Sequence, residues 1–143
     1  MYAPEDIGPQ DRWAPLMEKI NGCPYYRLLG MRIVAMGNGY ARLTMPAAES
    51  LMQFYGAVHG GATASLADSA AGTSLISVLE DGRKAITVEM KLNFVAPACE
   101  GILTAEARVF HSGRSIAGSE VEVRRDDGRL VAKGMATFLP VAG

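Results

Sequence analysis

From His59 to Leu79 the chain holds one charged side chain besides the histidine, Asp68, in a run otherwise built of Gly, Ala, Ser, Thr, Leu, Ile and Val. The spacing predicts one long helix over His59 to Leu79. A helix apolar on nearly every side belongs in an interior. Its small residues, among them Ala62, Ala64, Ser65, Ala67, Ala70 and Ala71, would let a sheet wrap closely around it. Gly72 weakens the helix and permits a bend there, and Asp81-Gly82 ends it. A carboxylate in such a helix costs several kcal/mol unless compensated. Asp68 is therefore placed for chemistry rather than for stability; the competing reading is a satisfied carboxylate capping a loop.

The segments on either side read as strands. Met31 to Met36 and Tyr40 to Met45 flank Gly37-Asn38-Gly39, a strong hairpin signal. Pro46 to Gln53 reads as a loop. From Ala85 to Phe94 the pattern alternates, with Ile86, Val88, Met90, Leu92 and Phe94 on one face and Thr87, Glu89, Lys91 and Asn93 on the other. Ile102 to Phe110, Ser115 to Arg124 and Arg129 to Leu139 complete a meander through short turns. In the second of these, Ser119, Val121 and Val123 oppose Glu120, Glu122 and Arg124. Before the strands, residues 1–10 read as a loose arm. Asp11 to Ile20 reads as a short helix stopped by Asn21-Gly22, and Tyr25 to Leu29 as a further helical turn or two. The order ββ-α-ββββ is an α+β architecture, a long helix against a six-stranded antiparallel sheet. An exposed sheet edge and an open helix mouth need covering, so a homodimer with twofold symmetry is expected.

The 143 residues suit one domain, 1–143, with 1–30 as an N-terminal helical extension. A formal net charge of −1 offers no electrostatic case for nucleic acid or an anionic membrane surface. The longest apolar or small run, Ser69 to Leu79, is too short to span a bilayer. The opening MYAPEDIGPQDRW has no apolar core of a signal peptide. Cys23 and Cys99 lack metal-type spacing and read as free thiols. The expected location is the cytoplasm.

Chemistry is concentrated at the helix mouth. The first N–H groups of a helix have no internal partner and carry the positive end of its dipole. At His59-Gly60-Gly61 the glycines remove side chains that would block approach, leaving a site for a carbonyl oxygen gaining charge. Glycines alone also serve a tight corner; Asp68 tips the balance. It lies roughly 13 Å along the axis from His59 at 1.5 Å per residue, too far for Gly60 and Asp68 of one helix to grip one reacting atom. Two antiparallel copies would bring Gly60 of one subunit to Asp68 of the other. His59 is either a base or, with more weight, a residue that hydrogen-bonds nearby backbone and orients the loop. Gln53, in the feeding loop, would position water or substrate; alone it would be a solvated loop residue. Met52, Phe54, Tyr55 and Met90 could line an apolar pocket, with core packing the weightier reading for some of them. There is no Gly-x-Ser-x-Gly elbow, no phosphate-binding loop and no metal-ligand spacing around His59 or His111, so no metal is expected.

Gln53, Gly56-Ala-Val-His59-Gly60-Gly61, Leu66-Ala-Asp68, Ile86-Thr87-Val88-Glu89-Met90 and Gly113-Arg114-Ser115 together resemble the hot-dog-fold acyl-CoA thioesterases of the PaaI-like branch. That branch includes phenylacetyl-CoA and 4-hydroxybenzoyl-CoA thioesterases. The resemblance runs from about Met31 to Leu139. It implies that the Gly60 N–H polarises the thioester carbonyl. It makes Asp68 of the partner subunit the nucleophile or the general base on water. Gln53 then contacts substrate or water, and His59 supports the carbonyl site. It implies further that Gly61 lies at the substrate, that Thr87 helps hold the water, and that Arg114 and Ser115 meet the CoA phosphates. The implied substrate is an acyl-CoA, aryl, arylacetyl or medium-chain, with coenzyme A part of the substrate and no other cofactor. The implied assembly is a homodimer pairing into a homotetramer. Three alternatives remain: a non-catalytic acyl-CoA-binding sensor, which would not need Asp68, a structural protein whose helix mouth is simply a corner, and an enoyl-thioester hydratase or dehydratase. The His-Phe-Pro loop of one such group is missing, because no proline lies between Pro46 and Pro97.

Overall fold

A computed structural model describes residues 7–143. Its first hairpin turns at Asn38 (φ 50°) and Gly39 (φ 81°), the paired left-handed conformation that matches the twist of two antiparallel strands. These are β1 (Arg32–Gly37) and β2 (Tyr40–Pro46). The long helix α3 (Gly60–Ile76) follows, then β3 (Lys84–Phe94), β4 (Ile102–Ser112), β5 (Ala117–Arg124) and β6 (Leu130–Val141). The sheet order is β1-β2-β4-β5-β6-β3, antiparallel throughout. The α3 crossover therefore carries the chain from β2 to the far edge, and α3 packs against all six strands.

The core lies between α3 and the sheet. Leu66, Ala67, Ala70, Ala71 and Leu75 are fully buried, in one cluster with Leu43, Met45, Leu103, Val123 and Phe138. Burying Leu66 or Leu75 stabilises the fold by about 1.5–3 kcal/mol each. The alternation expected for β5 holds, with Ser119, Val121 and Val123 buried. Helix α3 runs unbroken through Gly72, which lies against the Phe138 ring. It stops at Ile76 rather than Leu79 because Ser77 intervenes. The Ser77 hydroxyl donates to the Ser74 carbonyl (2.7 Å) and accepts from the Gly39 N–H (2.8 Å), replacing a further helical turn.

The structure corrects two sequence expectations. Of the residues read as a loose arm, 1–6 lie outside the described residues, and 7–10 are anchored. Ile7 is buried, and the Gln10 carboxamide donates to the Met36 carbonyl and accepts from its N–H. Asn21, at the end of α1 (Ala14–Asn21), does the same to Ile33 at 3.1 and 2.7 Å. Two amide side chains thus occupy the edge of β1, and this edge needs no partner chain. The second correction concerns β3. A bulge shifts its register between Thr87 and Glu89, resetting which residues face the core. Thr87 before the bulge and Met90 and Leu92 after it turn toward α3. Ile86 (50% exposed) and Val88 (62%) do not join the core. This edge of the sheet has no neighbouring strand among the described residues.

Candidate active site

His59 caps α3. Its Nδ1 accepts from the Gly61 N–H at 2.8 Å, which satisfies one orphan donor of the first turn. The ring therefore presents a lone pair at Nδ1 and its hydrogen at Nε2 in this arrangement. A Cβ on Gly61 would stand 3.0 Å from that Nδ1, so a side chain there would push the capping ring back by a few tenths of an ångström. With the Gly61 N–H committed, what Gly61 offers a ligand is space. The Gly60 N–H has no acceptor among the described residues. It opens on a cleft of about 390 Å³ lined by Gln53, Val58, Gly60, Thr63, Phe94 and Pro97.

Gln53 is held by its own loop. Its N–H donates to the Ala57 carbonyl, and its Oε1 accepts from the Tyr55 N–H at 2.6 Å. A backbone N–H can only donate, so the carboxamide is oriented with its NH₂ group outward. Gly60 and Gln53 thus both line one cleft. Phe94, which alternation places on one face with Met90 and Leu92, is 53% exposed, and its ring stands 3.6 Å from where a Gly60 Cβ would sit. Its position at the strand end, just before Val95-Ala96-Pro97, is the signal for its place at the cleft. Phe54 is 95% exposed and packs edge-on against Tyr55. Neither lines this cleft.

Asp68 is half-buried, not enclosed, which corrects the expectation of a deeply interior carboxylate. It lies on the open side of α3 with Gly61, Ala64, Ser65, Ser69 and Gly72, none of which is fully buried. These residues are small enough to have looked like core in sequence. The bulged strand supplies Asp68's partner: Thr87 Oγ1 donates to Asp68 Oδ1 at 2.9 Å. The Thr87 proton is therefore spent on the carboxylate. Gly60 and Asp68 lie about 12 Å apart along α3.

Arg114 and Ser115 are exposed in the β4–β5 turn, at the opposite end of α3. The Arg114 carbonyl accepts from Arg83 at 3.2 Å, and Arg114 borders a wider hollow of about 880 Å³ with Val78, Asp81, Gly82 and Gly143. Within one chain the predicted residues thus fall into three places. Gln53, His59, Gly60 and Gly61 sit at the helix mouth, Asp68 and Thr87 on its open flank, and Arg114 and Ser115 at its far end. No cluster of three metal-ligating side chains occurs among the described residues, and among them no helix is long and apolar enough to cross a membrane.

The thioesterase superfamily profile matches residues 55–132, more than half of the chain. A solved thioesterase-family protein from Silicibacter pomeroyi superposes with a TM-score of 0.80 at 31% identity, over 92% of this chain and 99% of that one. The acyl-coenzyme A thioesterase PaaI of Escherichia coli K12 is 30% identical over 74% of each chain. The solved E. coli PaaI structure superposes with a TM-score of 0.83, covering 92% of this chain and 94% of that one. A 1,4-dihydroxy-2-naphthoyl-CoA hydrolase from Listeria monocytogenes is 27% identical over 77% of this chain and 89% of its own. A free N–H donor at the mouth of a sheet-wrapped helix and a carboxylate on its flank are therefore found in a chain that belongs to the thioesterase superfamily, a hot-dog-fold thioester hydrolase of the PaaI-like branch.

Proposed function

We propose that the protein hydrolyses acyl-CoA thioesters to free acid and CoA in a site shared by two subunits. The observation that carries this reading is the Gly60 N–H, without an acceptor among the described residues, beside Gln53 on a cleft whose described lining holds no acid. An antiparallel copy of α3 would lay Asp68 of the partner subunit at that cleft. The small residues on the open side of α3 and the unpaired edge of β3 support such a copy.

In this reading the thioester oxygen accepts from the Gly60 N–H and the Gln53 NH₂, which stabilise the charge it gains. Asp68 Oδ2, left open by the Thr87 bond on Oδ1, takes a proton from water as the hydroxide oxygen bonds to the carbonyl carbon. Collapse breaks the C–S bond, and the carboxyl returns its proton to the departing thiolate. Direct attack by Asp68 is the variant route, and oxygen-18 incorporation in a single turnover separates the two. Arg114 and Ser115 would meet the CoA phosphates, and the naphthoyl-CoA named for the Listeria relative points to an aryl or arylacetyl group. The chemistry needs neither metal nor further cofactor. Exposed Phe110, Ile116, Met135 and Leu139 support association of two dimers into a tetramer. Two free, exposed cysteines suit the reducing cytoplasm.

The test is CoA release from a panel of acyl-CoA thioesters, followed with a thiol reagent without metal or nucleotide. Release from aryl or arylacetyl esters is expected. Tight binding without release would replace catalysis by sensing.

A further inference from the structure

Phe94 to Ala98, where the chain leaves β3 for the β3–β4 connection, forms a wall of the cleft that Gly60 lines. The ladder with β6 ends at Phe94, and single hydrogen bonds hold the wall beyond it. The Val95 N–H donates to the Val131 carbonyl and the Val58 N–H to the Ala98 carbonyl, each at 2.8 Å. Between them, the Pro97 carbonyl accepts from Arg125 Nη1 at 3.2 Å. Asp126 takes the far end of the same connection: its Oδ2 accepts from the Ile102 N–H at 2.9 Å. Consecutive residues at the β5–β6 turn thus clasp the β3–β4 connection near both of its ends. Gly101 makes room for the second clasp, since a Cβ there would collide with the Asp126 carboxylate.

The turn is built to aim Arg125. Gly128, left-handed at φ 82°, brings its N–H to the Arg125 carbonyl at 2.9 Å. Asp127 Oδ1 accepts from the Arg129 N–H at 3.0 Å and from Arg125 Nε at 3.2 Å, and its Oδ2 accepts from Arg125 Nη2. That fork fixes the plane of the guanidinium and leaves Nη1 for Pro97. Arg125, and after it the Arg129 N–H, hold the Asp127 pKa down at about 2, so the fork is charged across the neutral range. Stability is a poor account of it. Tyr26 of α2 (Pro24–Leu29) is a side chain fastened for the fold: burial raises its pKa, and its hydroxyl meets Ser69 and Thr73. The Arg125 and Asp127 side chains instead stay 27% and 55% exposed, and an exposed ion pair adds little to stability. What the fork does reach is the cleft wall. We propose that Arg125 is a positioning residue for thioester hydrolysis, holding the Pro97 wall so that the substrate carbonyl is kept against the Gly60 N–H and water is kept away from it. This rests on the acyl-CoA thioesterase reading, in which the Gly60 donor stabilises a developing charge and gains strength where water is excluded.

The experiment measures kcat, KM and Tm with phenylacetyl-CoA and octanoyl-CoA for the wild type, Arg125→Gln and Asp127→Asn, and adds Arg125→Gln to Gly60→Pro. Arg125→Gln should lower kcat by about tenfold on both esters, with KM within about twofold and Tm within about 2 °C of wild type. Asp127→Asn keeps an oxygen for the Arg129 N–H but breaks the fork, and kcat should fall by about threefold. In Gly60→Pro the donor served by the wall is gone, so Arg125→Gln should cost less than about twofold more. A full further tenfold loss on that background would mean that Arg125 acts apart from Gly60 and would overturn the proposal. Unchanged kcat in Arg125→Gln, or a loss matched by a fall in Tm, would overturn it too; all three outcomes leave the thioesterase reading intact. No CoA release from either ester by the wild type would overturn both.

Discussion

In the first half of α3, Gly60 to Ser69, the polar groups other than buried Thr63 stand on or near the surface. The Gly60 N–H has no acceptor among the described residues, and Asp68 is half-buried with one oxygen held by Thr87. In the second half, Ala70 to Ile76, comparable groups are sewn into the fold. Ser74 is fully buried, donates to the Ala71 carbonyl at 2.7 Å and meets Ser119 of β5 at 3.0 Å. Thr73 is buried beside Tyr26, and Ser77 ties the helix end to the β1–β2 turn. Hollow size does not separate the halves in the expected direction: the hollow beyond the helix end is about 880 Å³, against about 390 Å³ at its mouth. What separates them is hydrogen-bonding capacity left unspent. Spent capacity fastens a helix; unspent capacity at a cleft is available to a substrate.

The contrast breaks most readily at Asp68. Asp68→Asn keeps an oxygen for the Thr87 hydroxyl and so keeps the local packing. It removes the base, and turnover should fall by about 10²–10⁴ with the thermal midpoint nearly unchanged. A folded Asn variant at wild-type rate would move the chemistry elsewhere. Next is Gly60→Pro. Proline is tolerated in the first helical turn, and a Cβ there meets only the Phe94 ring at 3.6 Å. The change therefore deletes one N–H with little steric penalty, and kcat should fall by about 10²–10³. Mixing the two variants as refolded or co-expressed chains sharpens the test. Mixed dimers of a shared site hold one intact constellation, so about a quarter of wild-type activity should return when half the dimers are mixed. Sites confined to single chains would recover nothing.

The fold was legible where one residue type has one local use. Asn38-Gly39 meets the demand for two positive φ angles, and the small-residue run over α3 states how closely a sheet must approach. It was illegible where the partner is distant. Gln10 and Asn21 look like loop and stop residues, yet each pairs with the backbone of β1. The bulge at Val88 left no mark because Ile86, Val88, Met90, Leu92 and Phe94 are apolar on both sides of the phase shift. Among the site residues, the sequence named Gly60 and Asp68 but misjudged the burial of the acid. Small side chains on an open helix flank have the same composition as those in a core. The Thr87 bond to Asp68 could not be foreseen either, since it exists only because the bulge turns Thr87 toward the helix.

Smaller effects probe the fastened half. Ser74→Ala removes a buried hydroxyl, while Ser119 keeps the Ala71 carbonyl as an acceptor at 3.3 Å. The loss should be about 1–2 kcal/mol of stability, read by urea denaturation, with kcat/KM unaltered. A drop in turnover without a drop in stability would mean that the second half of α3 also serves the reaction.

The last and smallest effect concerns His59, which stands on the boundary between fastening and chemistry. As a cap, its Nδ1 occupies the Gly61 N–H. His59→Ala should cost about 1 kcal/mol, a fall in Tm of roughly 2–4 °C for a chain of this size. His59→Asn offers another cap acceptor and should restore most of that. Neither change removes the Gly60 N–H, and the alanine variant also frees the Gly61 N–H from its cap. Turnover should therefore fall by less than about tenfold in both. An acid–base role makes the opposite forecast. Asparagine would repair stability yet leave turnover down by about 10²–10⁴, because an amide cannot carry a proton between substrate and water. The two measurements on one pair of variants therefore assign His59 either to the spent hydrogen bonds of the fold or to the unspent ones of the site.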